Sequence, residues 1–198
     1  MNFWDKIAGL YDIAEAFNGK VYSKLTRAVA KLTPEGARVL DCAAGTGNLS
    51  IAAAEKAETV ICTDSSEKML NQAKKKAAAK GINNIRFEIR DIYKLQDEDE
   101  SFDTVIAGNV LHLLPDPESA VKELYRVTKK GGRLLLPTFV TGDKRLLSIK
   151  LYKLLGFKPE KEYTHKEYIG MLKGCNLGKI KAKPIDGKIP CCFAVIYK

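Results

Sequence analysis

The chain predicts an α/β fold, a doubly wound and mainly parallel sheet, and three observations carry that prediction. Short apolar, strand-like runs alternate with helix-length segments from residue 37 to residue 140. The first run, Val39-Leu40-Asp41-Cys42, opens into a dense group of small residues, Ala43-Ala44-Gly45-Thr46-Gly47. An acid stands where each of the first three strand-like runs meets its loop: Asp41, Asp64 and Asp91. With 198 residues, 45% of them apolar and 29% charged, the chain is long enough for one domain with a sizeable core.

Residues 3–32 read as helical, because Phe3, Trp4, Ile7, Ala8, Leu10 and Tyr11 recur at helical spacing. A break falls near Asn18-Gly19, the pattern resumes from Val21 to Leu32, and Thr33-Pro34-Glu35-Gly36 ends it. Strands are then expected at Ala37 to Cys42, Thr59 to Thr63, Ile85 to Ile89, Phe102 to Ala107 and Gly132 to Val140. Helices are expected between them, at Gly47 to Lys56, Ser66 to Lys80 and Asp116 to Lys129. Ser65 or Ser66 would cap the second, and Pro117 lies in the first turn of the third. Lys144 to Leu155 and His165 to Cys175 read as further helices. Lys179 to Pro184 and Cys191 to Tyr197 read as two strands around the turn Asp186-Gly187, close enough in sequence to pair antiparallel. That makes seven strands. The acidic run Gln96 to Ser101 reads as a solvated loop.

No apolar run approaches the ~18 residues of a membrane helix, and the start of the chain lacks the pattern of a signal peptide. The five cysteines, Cys42, Cys62, Cys175, Cys191 and Cys192, are odd in number and show no CxxC spacing. They read as buried free thiols, which places the protein in a reducing cytoplasm. The net charge is +9. From Asp143 onward there are 13 Lys and Arg against 5 Asp and Glu, a difference of +8 in the final quarter. Such a surface can attract an anionic substrate, RNA or lipid headgroups, or can simply be well solvated.

A tight turn needs one glycine; a run of small residues after Asp41 suits a ligand that comes close to the backbone at a helix N-terminus. In a doubly wound sheet such ligands lie outside the carboxyl ends of the strands, where the strand order reverses. Adjacent strands are ~4.8 Å apart, so the three acids would line ~10 Å of one sheet edge. A carboxylate ending the second strand can accept from both hydroxyls of a ribose. One beyond the third strand can accept from an exocyclic amine, and one at the first can favour an ammonium. Together these describe an adenosine carrying an amino-acid tail.

The ordered stretches Val39-Leu-Asp-Cys-Ala-Ala-Gly-Thr-Gly, Asp64-Ser-Ser-Glu-Lys-Met-Leu, Arg90-Asp-Ile and Phe102-Asp-Thr-Val-Ile-Ala-Gly-Asn-Val-Leu-His-Leu-Leu resemble the motifs of class I S-adenosylmethionine-dependent methyltransferases. The resemblance is to the small-molecule branch that includes ubiquinone/menaquinone C-methyltransferases. It implies a Rossmann-like seven-stranded sheet with a C-terminal antiparallel hairpin, in a single domain over residues 1–198. Residues 1–36 would form an N-terminal helical lid, 37–140 the cofactor-binding core, and 141–198 pocket helices and the hairpin. By the same resemblance Asp41, Ala43, Gly45, Thr46 and Gly47 would surround the methionine part of S-adenosylmethionine. Asp64, with Ser65 and Met69, would hold the ribose. Asp91 and Ile92 would hold the adenine, Asn109 and Val110 would follow strand four at the amino group, and Tyr11 would close over the cofactor. Where the family often has a first glycine, this chain has Ala43, which is expected to keep a negative φ.

Methyl transfer from a sulfonium is largely a problem of positioning, needs no metal, and needs a base only when the acceptor starts protonated. His112 is the candidate base, since the only other histidine is His165; a pocket wall is its other reading. Tyr163 and Tyr168 are further pocket candidates. The expected reaction is methylation of a small molecule by a cytoplasmic enzyme, monomer or homodimer, with no membrane partner. The alternatives are an RNA- or protein-directed methyltransferase using the basic C-terminal quarter, and a protein that binds the cofactor without turnover. A dinucleotide fingerprint is absent, because the third glycine position is Ser50. Asn109-Val-Leu-His112 also lacks the Pro-Pro-aromatic motif of nucleic-acid amino-methyltransferases. Pro190-Cys191 opens the last strand rather than following the fourth, so it does not match a cytosine C5-methyltransferase nucleophile. Strand alternation would point Cys191 and Cys192 to opposite faces, away from joint metalloid binding.

Overall fold

A computed structural model describes residues 4, 5, 9, 16–141 and 159–198. Tyr11, most of the expected lid and the helix expected at Lys144 to Leu155 lie outside these residues. Seven strands form one sheet in the order β3-β2-β1-β4-β5-β7-β6. They are β1 (Arg38–Cys42), β2 (Thr59–Asp64), β3 (Ile85–Ile89), β4 (Phe102–Ile106), β5 (Thr128–Phe139), β6 (Lys179–Ile185) and β7 (Cys191–Tyr197). The first five are parallel; β7 runs antiparallel to both β5 and β6. The order reverses at β1, which lies between β2 and β4, so the small-residue loop opens at the switch point.

Among the described residues three helices cover one face and two the other. On the first, α1 (Gly19–Leu32) turns Val21, Leu25 and Val29 onto the sheet, one helical stripe at i, i+4 and i+8. Beside it α2 (Asn48–Ala54) buries every residue from Leu49 to Ala54, and its alanines let it lie close to the strands. The third, α3 (Glu67–Ala79), is capped by Ser66, whose Oγ accepts from the Met69 amide at 3.2 Å. The opposite face carries α4 (Pro117–Val127), capped by Asp116 with Pro117 in its first turn, and α5 (His165–Gly174). A reciprocal capping box between Thr164 and Glu167 starts α5. Cys191 packs with the α1 layer and Cys192 with the α4 and α5 layer, so strand alternation separates the two thiols; all five cysteines are free and buried.

Two expectations need correction here. The third crossover helix stops at Val127, not Lys129, and β5 starts at once at Thr128. Between Thr128, paired with Phe102, and Arg133, paired with Thr104, the register shifts. Gly131, at φ +77°, turns that bulge, and a side chain on Gly132 would meet the Lys129 and Asp103 carbonyls at 2.8 and 2.9 Å. The acidic run 96–101 is not merely solvated: Arg90 pairs with Asp97, and Arg126 binds Asp99 at 2.7 Å and Glu123 at 2.8 Å, pinning the loop beside α4.

Candidate active site

The β1 loop is wound through three left-handed residues, Ala43 (φ +51°), Gly45 (+56°) and Gly47 (+79°). The negative φ expected for Ala43 is therefore wrong: the loop reverses direction there, and the Ala44 amide is held by the Thr63 carbonyl at 2.9 Å. An L-residue in this region costs about 1 kcal/mol, where glycine costs nothing. Gly47 serves packing, since a Cβ there would lie 2.7 Å from that of Ala73 on α3. Opposite outcomes are expected within one loop. Ala43→Gly should gain up to about 1 kcal/mol and Gly47→Ala should lose at least about 2 kcal/mol, read from thermal melts.

Of the anticipated cofactor residues, Ala43, Gly45, Asp64, Ser65 and Met69 line one cavity of about 600 Å³, and Asp91, Ile92, Asn109 and Val110 complete its far side. That volume is in the range of small-molecule sites. Asp64 ends β2 with both carboxylate oxygens engaged: Oδ2 accepts from the Gly45 amide at 2.8 Å and Oδ1 from the Ser66 amide at 2.9 Å. It thus staples the small-residue loop to the start of α3. Burial raises its pKa, and the Ser66 and Gly45 amides oppose that rise. Asp91 is exposed and accepts the Tyr93 amide at 2.9 Å, forming an Asx turn after β3.

Asp41 is reached through a smaller recess that shares Ala43, Gly108 and Asn109 with the main cavity and also touches Tyr22 and Asn48. Ser50 donates to Asp41 Oδ2 at 2.6 Å, while Oδ1 is buried with no hydrogen-bond partner. Asn109, at φ +55°, hydrogen bonds the Pro137 carbonyl through its amide, and its Nδ2 donates to the Tyr22 hydroxyl at 3.4 Å. Its Oδ1 is also buried without a partner. Burial pushes the Asp41 carboxyl up to about 7, against the Ser50 hydrogen bond.

Thr46 and Gly47 line neither space. The Thr46 hydroxyl accepts from Lys76 Nζ at 2.7 Å, facing α3. His112 lies outside both as well: its Nδ1 is 3.0 Å from Thr138 Oγ1 and its ring meets Phe139 edge-on at 6.0 Å. Desolvation holds that imidazole neutral, with its pKa down to about 4. Tyr163 and Tyr168 pack together in the core, 5.6 Å between centroids, and Tyr168 donates to the Leu136 carbonyl.

Several contributors escaped the sequence reading, Tyr22, Gly108, Ile89 and Trp4 among them. Tyr22 projects from α1, which reads only as an amphipathic helix. Gly108 follows β4 without a second glycine to mark it, and a Cβ there would strike Leu49 at 2.5 Å. Ile89, 62% exposed at the end of β3, and Trp4 supply apolar walls to the cavity. Asp5, next to Trp4, accepts from Ser66 Oγ at 2.6 Å, which ties this N-terminal piece to the cavity rim. Trp4 is the chain's single tryptophan. Its emission should therefore change saturably on titration with S-adenosylmethionine, and the change should vanish in Trp4→Phe; an unresponsive spectrum would remove Trp4 from the site.

A seven-stranded sheet with one antiparallel strand, a glycine loop at its switch point and a carboxylate ending β2 define the class of S-adenosylmethionine-dependent methyltransferases. The chain belongs to the methyltransferase domain family, whose model matches residues 34–173. It is 34% identical over 143 residues to a demethylmenaquinone methyltransferase of Clavibacter sepedonicus, covering 70% of this chain and 57% of that protein. It is 36% identical over 129 residues to a phosphatidylethanolamine N-methyltransferase of Cereibacter sphaeroides, covering 64% and 63%. A crystal structure of a SAM-dependent methyltransferase from Aquifex aeolicus superposes with a TM-score of 0.72 over 99% of this chain and all of that one, at 22% identity. The chain spans 36% to 66% of the length of the curated relatives it matches. Among the described residues no helix is long and apolar enough to cross a membrane.

Proposed function

We propose that this protein transfers a methyl group from S-adenosylmethionine to a small-molecule acceptor. One observation carries the reading: two buried acceptor atoms without partners, Asp41 Oδ1 and Asn109 Oδ1, border the recess that joins the main cavity. Buried polar atoms are rarely left unpaired, and two acceptors on residues that line one recess suit a cationic ammonium. The rest of the cavity suits an adenosine: Asp64 would meet the ribose hydroxyls, and Ile89, Ile92 and Met69 line the cavity as apolar walls.

When bound, S-adenosylmethionine supplies a methyl group activated by its sulfonium. The chain's own work is to fix that group and to exclude water. Gly45 and Asp64 set the depth of the adenosine, Asp41 and Asn109 set the charged tail, and Trp4 covers the mouth. A histidine as weakly basic as His112 serves better as a neutral wall and hydrogen-bond partner of Thr138 than as a proton acceptor. The acceptor that fits is one already nucleophilic near neutrality, such as a free amine, a thiolate or an ionised ring hydroxyl or carbon. The two relatives described above are named for a demethylmenaquinone acceptor and for the nitrogen of phosphatidylethanolamine.

A radiolabelled methyl-transfer screen over amines, thiols, phenols and quinols tests the reading, with turnover of at least one class expected. Labelling of RNA or protein alone would move the enzyme to a macromolecular substrate. Tight binding of S-adenosylmethionine with no transfer at all would make the protein a cofactor-binding regulator.

A further inference from the structure

Charge is segregated among the described residues. Away from α1 and β6, acids and bases are matched: Arg90 with Glu88 and Asp97, Arg126 with Asp99 and Glu123, Lys129 with Asp103, and Lys130 and Lys198 with Glu100. Around α1 and β6 they are not. The α1 sequence contains no acid and exposes Lys20, Lys24, Arg27 and Lys31 at i, i+4, i+7 and i+11, opposite its buried stripe. The β6 sequence contains no acid and exposes Lys179, Lys181 and Lys183 at every second position. None of these cations forms an ion pair among the described residues.

Both rows lie on one side of the sheet. Lys181 Nζ stands 5.3 Å from the Tyr197 ring and Lys183 Nζ 5.8 Å from the Phe193 ring. Phe193 belongs to the apolar layer that holds Val21, Leu25 and Val29 of α1 and Ile185 of β6. The β6 lysines therefore project beside α1, and Asn18 closes the seam by donating to the Ile189 carbonyl at 2.8 Å.

Lysines and a proline on an edge strand also discourage sheet-to-sheet pairing, and Pro184 with the β6 row fits that use. Edge protection does not call for a second row on the neighbouring helix, where mixed charges would give equal solubility with less repulsion. We infer that this face docks the phosphate backbone of a nucleic acid strand. Alternate residues on β6 are about 6.7 Å apart, close to the separation of successive phosphates in an extended strand, and the α1 row runs about 16 Å beside them. A bilayer surface is the poorer match. Interfacial binding draws on apolar side chains entering the membrane, and the one large apolar side chain exposed among the described residues, Ile89, is on β3 at the far edge. The inference goes beyond methyl transfer and does not depend on which acceptor is used.

The test is fluorescence anisotropy of the full chain with a labelled single-stranded RNA of about twenty nucleotides, across a salt series. Binding at low salt should fall with a logarithmic slope of about −3 or steeper, since each phosphate contact contributes about −0.7. Lys179→Glu/Lys181→Glu/Lys183→Glu, and separately Lys24→Glu/Arg27→Glu/Lys31→Glu, should each lower affinity at least about tenfold and flatten the slope by about 2. Lys122→Glu/Lys166→Glu/Lys173→Glu makes the same change in net charge on the opposite face and should do much less. An unchanged Trp4 response to S-adenosylmethionine in each variant certifies the fold. No binding at low salt, or equal losses in all three variants, overturns the proposal. So does tighter binding to phosphatidylglycerol vesicles than to RNA that the face variants abolish.

Discussion

Replacing Asp64 by asparagine is expected to weaken S-adenosylmethionine binding by about a hundredfold or more. Each carboxylate oxygen already takes one backbone amide, from Gly45 and from Ser66, and keeps a second lone pair for a ribose hydroxyl. Asparagine turns one of those acceptors into a donor, which repels the amide it faces and offers nothing to a hydroxyl proton. Hydrogen bonds to a charged acceptor contribute about 1.5–3 kcal/mol each, so losing two amounts to roughly two to four orders of magnitude in affinity. Part of the loss falls on the loop itself, because the Gly45 amide is also deprived; the melting temperature of the ligand-free variant reports that share. S-adenosylhomocysteine should be weakened by the same factor, because it shares the ribose and lacks only the methyl and the sulfonium charge. Calorimetry that finds Asp64→Asn within about threefold of the parent for both ligands, with the ligand-free fold intact, would remove Asp64 from the site.

What the chain discloses before folding depends on whether a feature is periodic or positional. The sheet was legible because seven apolar runs, alternating with helical stripes, admit few arrangements. Asp41, Asp64 and Asp91 were legible because each ends such a run. Boundaries set by backbone geometry were not: Ala43 carries a chemistry that argues against a left-handed turn, yet the Thr63 carbonyl and the chain reversal impose one. The strand expected from Gly132 starts instead at Thr128, with Gly131 turning a bulge inside β5. Residues that reach the cavity from elsewhere in the fold left no local mark, because nothing in Lys20-Val21-Tyr22-Ser23 distinguishes a tyrosine facing the recess from one facing solvent. Thr46 is the opposite case: its backbone belongs to the loop, while its hydroxyl faces α3 and accepts from Lys76.

S-adenosylmethionine affinity is expected to depend steeply on pH around neutrality, and to do so through Asp41. Its carboxyl lies at about 7, raised chiefly by burial, because ionisation would leave Oδ1 charged and unpaired in the core. Without ligand the protonated form therefore predominates below 7. An ammonium placed at Oδ1 and at Asn109 Oδ1 favours the carboxylate, so binding should expel a proton, about half a proton per ligand at pH 7. Below 7, affinity should fall by up to about tenfold per pH unit. Above about 8 the ligand's own amino group begins to lose its charge, so the optimum lies between the two. Stability of the ligand-free protein follows the same group with the opposite sense. A carboxyl raised from about 4 to about 7 contributes stability that is complete below 4 and is lost as the pH rises through 7. His112 works against it at lower pH: with its pKa depressed from about 6.5 to about 4, it withdraws stability as the pH falls through that interval. Between about 6.5 and 8 His112 no longer contributes, and the Asp41 share is read as the difference between the parent and Asp41→Asn. Asp41→Asn should abolish proton release, flatten the acid limb of the affinity profile and remove the stability change in that window. Calorimetry in buffers of different ionisation enthalpy measures the first two, and thermal melts across the same pH range measure the third. A proton count of zero at pH 7 in the parent protein, or an affinity profile that Asp41→Asn leaves unaltered, would mean that the charged tail of the cofactor lies elsewhere.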